Sequence, residues 1–349
     1  MAVVLMEGFD HGLFAAKQWV SGGFSGRGAT AFVAGRITGF ARQLQYTSAA
    51  QGWHQFEKAL PSTYTTLTVG FGYLFVSDTI ATGVSANENH LFTMQTAAAT
   101  SLFHMKWNNA FTRFDVYDQT LALVGSTGFV DISSWHYIEF KCVVNGAAST
   151  LEMRLDGPVV FGPTVCDCGS TAIGMVLWQV NSAGGGNNSF ASVDDIYCND
   201  TTGAAPQTGF LGDTRVETIF PAGAGNSTQW TPLASTNWSQ VDEQTPDDDT
   251  SYVYSNTIGR IDTYDCTALS VNTTLVYGLQ TNLYARKDEA GLRQIAAVVR
   301  HSGTNYFDTT YTLSTGYTWT GDIRQQDPLG TDWTSTTVDA AEFGEKVIA

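Results

Sequence analysis

Two kinds of chemistry can be sought in the residue types of this 349-residue chain: cation binding by clustered carboxylates, and sugar binding by aromatics beside amides. Asp242 and Glu243 are followed closely by Asp247, Asp248 and Asp249. Calcium takes several oxygens at about 2.4 Å, so Asp247 and Asp249 are candidate ligands. The EF-hand spacing is absent, and the competing expectation is a solvated acidic loop or a contact with a basic neighbour. Asp194-Asp195 is the sharpest acidic pair. On a strand the two side chains point to opposite faces, and a buried bare carboxylate is costly. Asp195 is therefore a candidate for a calcium- or ligand-facing loop. Alternatively, the inward carboxylate is satisfied by backbone N–H groups or an arginine inside a sandwich.

Catalytic templates fail for identifiable reasons. The six histidines (His11, His54, His90, His104, His136 and His301) include no HExxH or other two-histidine metal spacing. No GxSxG supplies a nucleophile elbow. Gly184-Gly185-Gly186-Asn187-Asn188 lacks the Lys-Ser/Thr of a phosphate cradle and reads as a loop tip. The five cysteines, Cys142, Cys166, Cys168, Cys198 and Cys266, are odd in number and scattered. They read as free thiols of a chain made in a reducing compartment.

Sugar binding needs an aromatic platform beside polar groups on edge loops. Trp107-Asn108-Asn109, Trp178-Gln179-Val180-Asn181 and Asn187-Asn188 have that chemistry, so Trp107, Asn109, Trp178, Asn181 and Asn187 are the candidate glycan contacts. The competing expectation is that both tryptophans are strand core. Trp230, Trp238, Trp319 and Trp333 read as core or interface.

The elements that must position these residues are strands. Leu67, Val69, Phe71, Tyr73 and Phe75 alternate with Thr66, Thr68, Gly70 and Gly72, the period of a half-buried strand. Residues 136–161 read as a three-stranded meander turned at Asn145-Gly146 and Asp156-Gly157, because such turns need residues that tolerate positive φ. A single helix is expected over Ser48–Leu60, stopped by Pro61.

Composition agrees with an all-β chain and removes some functions. Hydrophobic residues make up 43% and charged residues 14%, and the net charge is −16. Nucleic-acid binding needs clustered cations, and none occur. No apolar run is long enough to insert in a membrane as a helix. The first residues lack a basic n-region, which argues against a secretory signal. A turn-rich stretch, Asn199–Pro206, divides the chain into 1–202 (9 basic, 15 acidic) and 203–349 (8 basic, 18 acidic).

Glu7-Gly8-Phe9-Asp10, Trp135–Glu139 and Asp194–Tyr197 together resemble a concanavalin A-like (laminin-G-like) sandwich. Leu211–Thr218, Gly223-Ala224-Gly225, Gln229–Pro232, Val241–Glu243, Asp249–Val253, Ala285–Gly291, Asp327-Pro328, Trp333-Thr334 and Ala341–Gly344 resemble virion structural proteins of tailed bacteriophages. The resemblance implies a particle component of tail, baseplate, fibre or capsid surface, assembled in the host bacterial cytoplasm. It implies other virion proteins and copies of itself as partners, and no reaction. Glucanases of the sandwich fold carry Glu-x-Asp-x-Glu along one strand, with two carboxylates spaced for acid and nucleophile roles. No such triplet occurs. Glu139 and Glu152 come nearest, and read as solvent-facing residues opposite Lys141 and Arg154.

The expectation is therefore an all-β chain of two tandem β-sandwiches, the first a concanavalin A-like jelly roll. It would be a non-enzymatic virion structural protein without a required cofactor. The alternative is a lectin-like module that recognises host surface glycans.

Overall fold

The computed structural model describes residues 3–11, 19–23, 28–37, 39–47, 51–77, 91–183, 188–205, 207–307 and 309–349. The chain is all-β and divides into two compact units, one of Met1–Phe9 with Gln18–Val216, the other of Asp10–Lys17 with Glu217–Ala349. The first unit thus runs past residue 202, to Val216.

The strands of the first unit are β1 (Val3–Glu7), β2 (Trp19–Gly23), β3 (Gly28–Ala34), β4 (Phe40–Thr47) and β5 (Gln51–Tyr64). There follow β6 (Thr66–Ser77), β7 (Phe92–Thr96), β8 (Phe103–Asn108), β9 (Arg113–Asp118) and β10 (Leu123–Ser126). The last are β11 (His136–Val143), β12 (Ser149–Leu155), β13 (Val159–Cys166), β14 (Ile173–Ala183) and β15 (Asn188–Asn199). One sheet has the order β13-β12-β11-β6-β15-β4-β3, with β1 also on β15; the other has the order β10-β9-β8-β7-β14-β5-β2.

The expected alternation sets the inner face. Leu67, Val69, Phe71, Tyr73 and Phe75 of β6 are all buried. The meander forms, and Asp156 and Gly157 turn its second hairpin with φ of 52° and 94°. Aromatic rings join the sheets. Trp178 of β14 lies 5.3 Å from Phe56, 5.3 Å from Phe71 and 5.2 Å from Phe92, ring centre to ring centre.

The helix expected over Ser48–Leu60 is instead strand β5, with Ser48–Ala50 outside the described residues. β5 pairs with β14 on one side and β2 on the other. Two ladders satisfy its backbone, and Phe56 enters the aromatic layer. Tertiary pairing overrides the local 3.6-residue pattern. Pro61 lies where the ladder shifts register, Ile173 pairing with Tyr64 but Met175 with Ala59. A proline is tolerated at such an irregularity.

The second unit contains β16 (Pro221–Thr228), β17 (Thr231–Pro232), β18 (Val253–Tyr254), β19 (Ile261–Cys266) and β20 (Leu279–Ala285). It ends with β21 (Gln294–His301), β22 (Thr304–Tyr306), β23 (Tyr311–Thr312), β24 (Thr318–Arg324), the short helix α1 (Ser335–Asp339) and β25 (Glu342–Val347). Its main sheet has the order β16-β19-β25-β21-β22, with β23 also on β21, and β17-β18 and β20-β24 are two-stranded ribbons. Val299, Trp333, Val338, Ala341 and Phe343 form its core, with Leu279 of β20 packed against them.

Asp262 and Glu345 are directly paired across β19 and β25, and both are buried. Asp262 Oδ1 accepts the Trp230 amide at 2.7 Å, and Tyr264 Oη donates to Glu345 Oε1 at 2.7 Å. Burial, against the Tyr264 hydrogen bond and helped by the Asp262 charge, pushes the Glu345 carboxyl up to about 8. In the unfolded chain it returns to the ordinary carboxylate range. The folded state therefore holds a proton that the unfolded state releases between about pH 4.5 and 8. This contribution is complete below that window and is lost as pH rises through it, at about 1 kcal/mol per pH unit. Glu345→Gln is expected to flatten the pH dependence of the second unit's melting temperature from pH 5 to 8 and to raise stability at pH 9, measured by scanning calorimetry. Superimposable pH profiles for the two proteins would contradict this assignment.

Candidate functional site

The outer face of β8, β9 and β10 in the first unit carries a polar cluster. Its composition follows from what turns inward. Trp107 and Phe114 are directly paired across β8 and β9. Trp107 packs on the inner side, 5.6 Å from Phe75 and 5.2 Å from Phe114. Period two then sends Lys106 and Asn108 outward from β8, and Arg113, Asp115 and Tyr117 outward from β9. Farther across the sheet the outward Thr93, Gln95 and Gln179 are buried.

Asp115 organises the face. Its Oδ2 accepts Asn108 Nδ2 at 2.6 Å, and its Oδ1 accepts Arg113 Nε at 2.8 Å and Ser126 Oγ at 2.6 Å. Burial pushes this carboxyl up, but the bonds from Ser126, Asn108 and Arg113 outweigh it and hold it below the usual range. It remains an anionic anchor. Arg113 in turn lies 4.6 Å over the Phe111 ring, and Lys106 Nζ lies 5.3 Å from the Tyr117 ring centre. Burial, with the Lys106 charge beside it, pushes His104 down to about 4, so its ring is neutral at physiological pH.

The hairpin tip carries two exposed aromatics. Phe111 is 63% exposed and Phe129 is 78% exposed. Thr127 N donates to Phe114 O and Val130 N to Thr112 O, both at 2.9 Å, which ties the Phe129 segment to this tip. Asn109 is exposed in the turn between β8 and β9, two residues before Phe111. Trp107 turns inward and offers no exposed ring. Neither phenylalanine stands beside a tryptophan–asparagine pair; a phenylalanine in a polar turn is the sequence signal each carries.

Trp178 is fully buried in the aromatic layer and is not a sugar platform. The reason is parity: with Val176 and Val180 it faces the opposite sheet. The side chain of Asn181 and the whole of Asn187 lie outside the described residues.

The carboxylate candidates are engaged by the protein itself. Asp195 accepts Arg36 Nε at 2.7 Å and the Val216 amide at 2.8 Å. Burial pushes its carboxyl up against those two bonds, with a net upward shift. Asp194 accepts the amides of Arg36 and Asp195, each at 2.8 Å. A ladder irregularity between Asp194 and Tyr197 breaks the strict alternation of the pair, and both side chains are buried. The arginine and backbone N–H alternative is what the fold uses, not the calcium-facing one.

Glu139 departs from the solvent-facing expectation. It pairs with Arg154, and Lys141 with Glu152, as the charges suggested. Glu139 is nevertheless only 1% exposed. Residues 207–216 cross the outer face of its sheet as a strap. Glu139 Oε1 accepts the Gly212 amide at 2.9 Å and the Tyr197 hydroxyl, and Leu211 N donates to Tyr197 Oη at 3.0 Å. Arg36 reaches Thr214 O and Asp213 Oδ1, both at 2.7 Å. Gly70 and Gly72 make room: a Cβ would stand 2.1 Å from the Tyr197 ring and 2.7 Å from the Arg36 chain.

In the second unit Asp247 Oδ1 accepts Ser251 N at 3.2 Å and Ser251 Oγ at 3.0 Å. Asp249 accepts Arg286 Nη2 and Tyr317 Oη, both at 2.8 Å, and these two hold its carboxyl below the usual range. Both aspartates thus bind protein donors, not a common centre. Arg286, Tyr317, Tyr284, Trp319 and His11 stack in one column, with successive separations of 5.3, 5.0, 5.1 and 5.5 Å. Among the described residues no group of three His, Cys, Asp or Glu side chains is arranged to hold a metal ion.

No protein-family model and no curated protein sequence matches the chain. Similar solved structures include an alginate lyase mutant in complex with alginate trisaccharide (TM-score 0.35, 10% identity, 53% of this chain and 99% of that one). The carbohydrate-binding module CBM66 from Bacillus subtilis is similar at TM-score 0.33 and 9% identity, over 54% of this chain and 98% of that one. A botulinum neurotoxin type C structure, described by its dependence on two ganglioside molecules for cell entry, is similar at TM-score 0.40 and 8% identity, over 99% of this chain and 97% of that one. These likenesses are of layered β architecture, and at such scores they carry no argument about ligand or reaction.

Trp178→Ala is expected to cost about 3–5 kcal/mol in chemical denaturation, the usual range for a large aromatic removed from a core. Asn109→Ala should stay within about 0.5 kcal/mol. A Trp178→Ala protein of wild-type stability would remove Trp178 from the core.

Proposed function

We propose that the first unit is a non-enzymatic recognition module that binds a glycan along the outer edge of β8, β9 and β10. One observation carries this reading: the exposed rings of Phe111 and Phe129 at the tip, beside Asn108, Asn109 and an Arg113 fixed by Asp115. Pyranose rings offer an apolar C–H face for an aromatic side chain and hydroxyls for planar amide and guanidinium groups. The polar groups on this edge are held before any ligand arrives, which lowers the ordering cost of binding. A carboxylate held low by three donors suits an anchor better than a proton donor, which supports recognition without catalysis.

Host surface glycans are the ligands to try first. On an array of bacterial surface polysaccharides the full chain should retain at least one glycan. Phe111→Ala should then weaken binding at least tenfold, about 1.4 kcal/mol, with an unchanged melting temperature. Retention of no glycan, or wild-type affinity in Phe111→Ala, would defeat the reading.

The second reading is a structural component of a phage virion, as the sequence resemblance implies. Exposed apolar side chains in the second unit favour it: Leu233 and Tyr254, about half exposed beside one ribbon, and Ile258, 70% exposed. Such surfaces suit packing against copies of the chain or neighbouring virion proteins, and low charge density limits desolvation cost. Light scattering after size exclusion tests it. A closed oligomer that Ile258→Asp dissociates supports packing, and a monomer at all concentrations opposes self-association.

A further inference from the structure

Cys142, Cys166 and Cys168 come together at one end of the first unit, although only two of them are close in sequence. Cys142 faces inward from β11, in the same row as Ile138 and Phe140. Cys166 ends β13, where it pairs with Ser149 of β12. Cys168 lies in the turn that follows. The Cys166 and Cys168 sulfurs are 3.5 Å apart, and Cys142 lies close enough to Cys168 to act on it electrostatically. All three are free thiols; Cys198 pairs into a different part of the sheet and Cys266 belongs to the second unit.

The turn they occupy ties the two sheets together. Gln119 N donates to Asp167 O at 3.0 Å, and Asp167 N to Asp118 Oδ2 at 3.2 Å. Asp118 ends β9, the strand that carries Arg113, Asp115 and Tyr117. The backbone between the two neighbouring sulfurs therefore anchors the far end of the strand that builds the polar face.

We propose that this thiol group is an oxidant-responsive modification site, in which Cys166 and Cys168 close a disulfide with hydrogen peroxide as the oxidant. Cys166 is the entry point, since it is 7% exposed while Cys142 and Cys168 are fully buried. The Cys166 thiol gives up its proton and its sulfur attacks one peroxide oxygen; the O–O bond breaks, the departing hydroxide takes up that proton as water, and Cys166 becomes a sulfenic acid. The Cys168 sulfur then attacks the Cys166 sulfur, the S–O bond breaks, and a second water carries off the remaining thiol proton. Two thiols lose two electrons in all, and one peroxide becomes two waters. The contact with Cys168, then burial, push the Cys166 thiol up, so the reaction quickens as pH rises. The inference stands apart from the glycan reading.

The full chain would be exposed to hydrogen peroxide at pH 8.5, quenched, unfolded and alkylated. Peptide mapping should show a Cys166–Cys168 disulfide, two of the five thiols lost to alkylation, and full recovery with dithiothreitol. In Cys168→Ser the disulfide should vanish and Cys166 should accumulate a dimedone adduct, while Cys198→Ser should behave as wild type. Five alkylatable thiols after peroxide, or a first disulfide through Cys198 or Cys266, would overturn the proposal, and the wild-type map decides this even if a variant fails to fold.

Discussion

The aromatic contact between the two sheets of the first unit is the constraint on which its surface depends. Trp178, Phe56, Phe71 and Phe92 meet there at separations near 5 Å. Large rings bury much apolar area, and aromatic pairs add a geometric preference. Once these residues face inward, period two leaves no freedom about what faces outward. Trp107 and Phe114 fill the same layer from β8 and β9, and this delivers Asn108 and Arg113 to the outer edge. The polar face is thus a consequence of the core's parity.

Buried charge is the second organising theme. Glu139, Asp194 and Asp195 lie under or beside the strap of residues 207–216 and are met by amides, a tyrosine hydroxyl and Arg36. Ionic groups out of water persist when their lone pairs are filled in this way. The strap therefore does not cover an apolar face. It supplies the donors that make an acidic sheet surface tolerable, and the two glycines of β6 let Tyr197 and Arg36 lie close enough to the backbone to take part. The second unit solves a similar problem at Asp262 and Glu345 by keeping one carboxyl protonated.

These solutions also sort the carboxylates by role. Asp195, Asp247 and Asp249 each look like cation ligands as isolated letters, and each is bound by protein donors in the fold. Asp115 stands in no acidic cluster, yet it holds Asn108, Arg113 and Ser126 on an edge near the exposed ring of Phe111.

Legible in the residues alone were the all-β class, the faces of β6, the meander, and opposite charges facing each other across its first two strands. Alternation and turn chemistry are local, and these follow from two to eight adjacent residues. The sequence also carried both readings of Trp178 and of Asp194-Asp195 without choosing between them. Tertiary structure made those choices, because burial depends on what lies across the sandwich. It turned Ser48–Leu60 from an expected helix into a strand by offering β14 and β2 as partners. It extended the first unit to Val216 by docking residues 207–216, which the sequence reading assigns to the second domain. It also brought Cys142 to Cys166 and Cys168, and Phe129 to Phe111, contacts set by sheet order and loop return, which no spacing along the chain encodes.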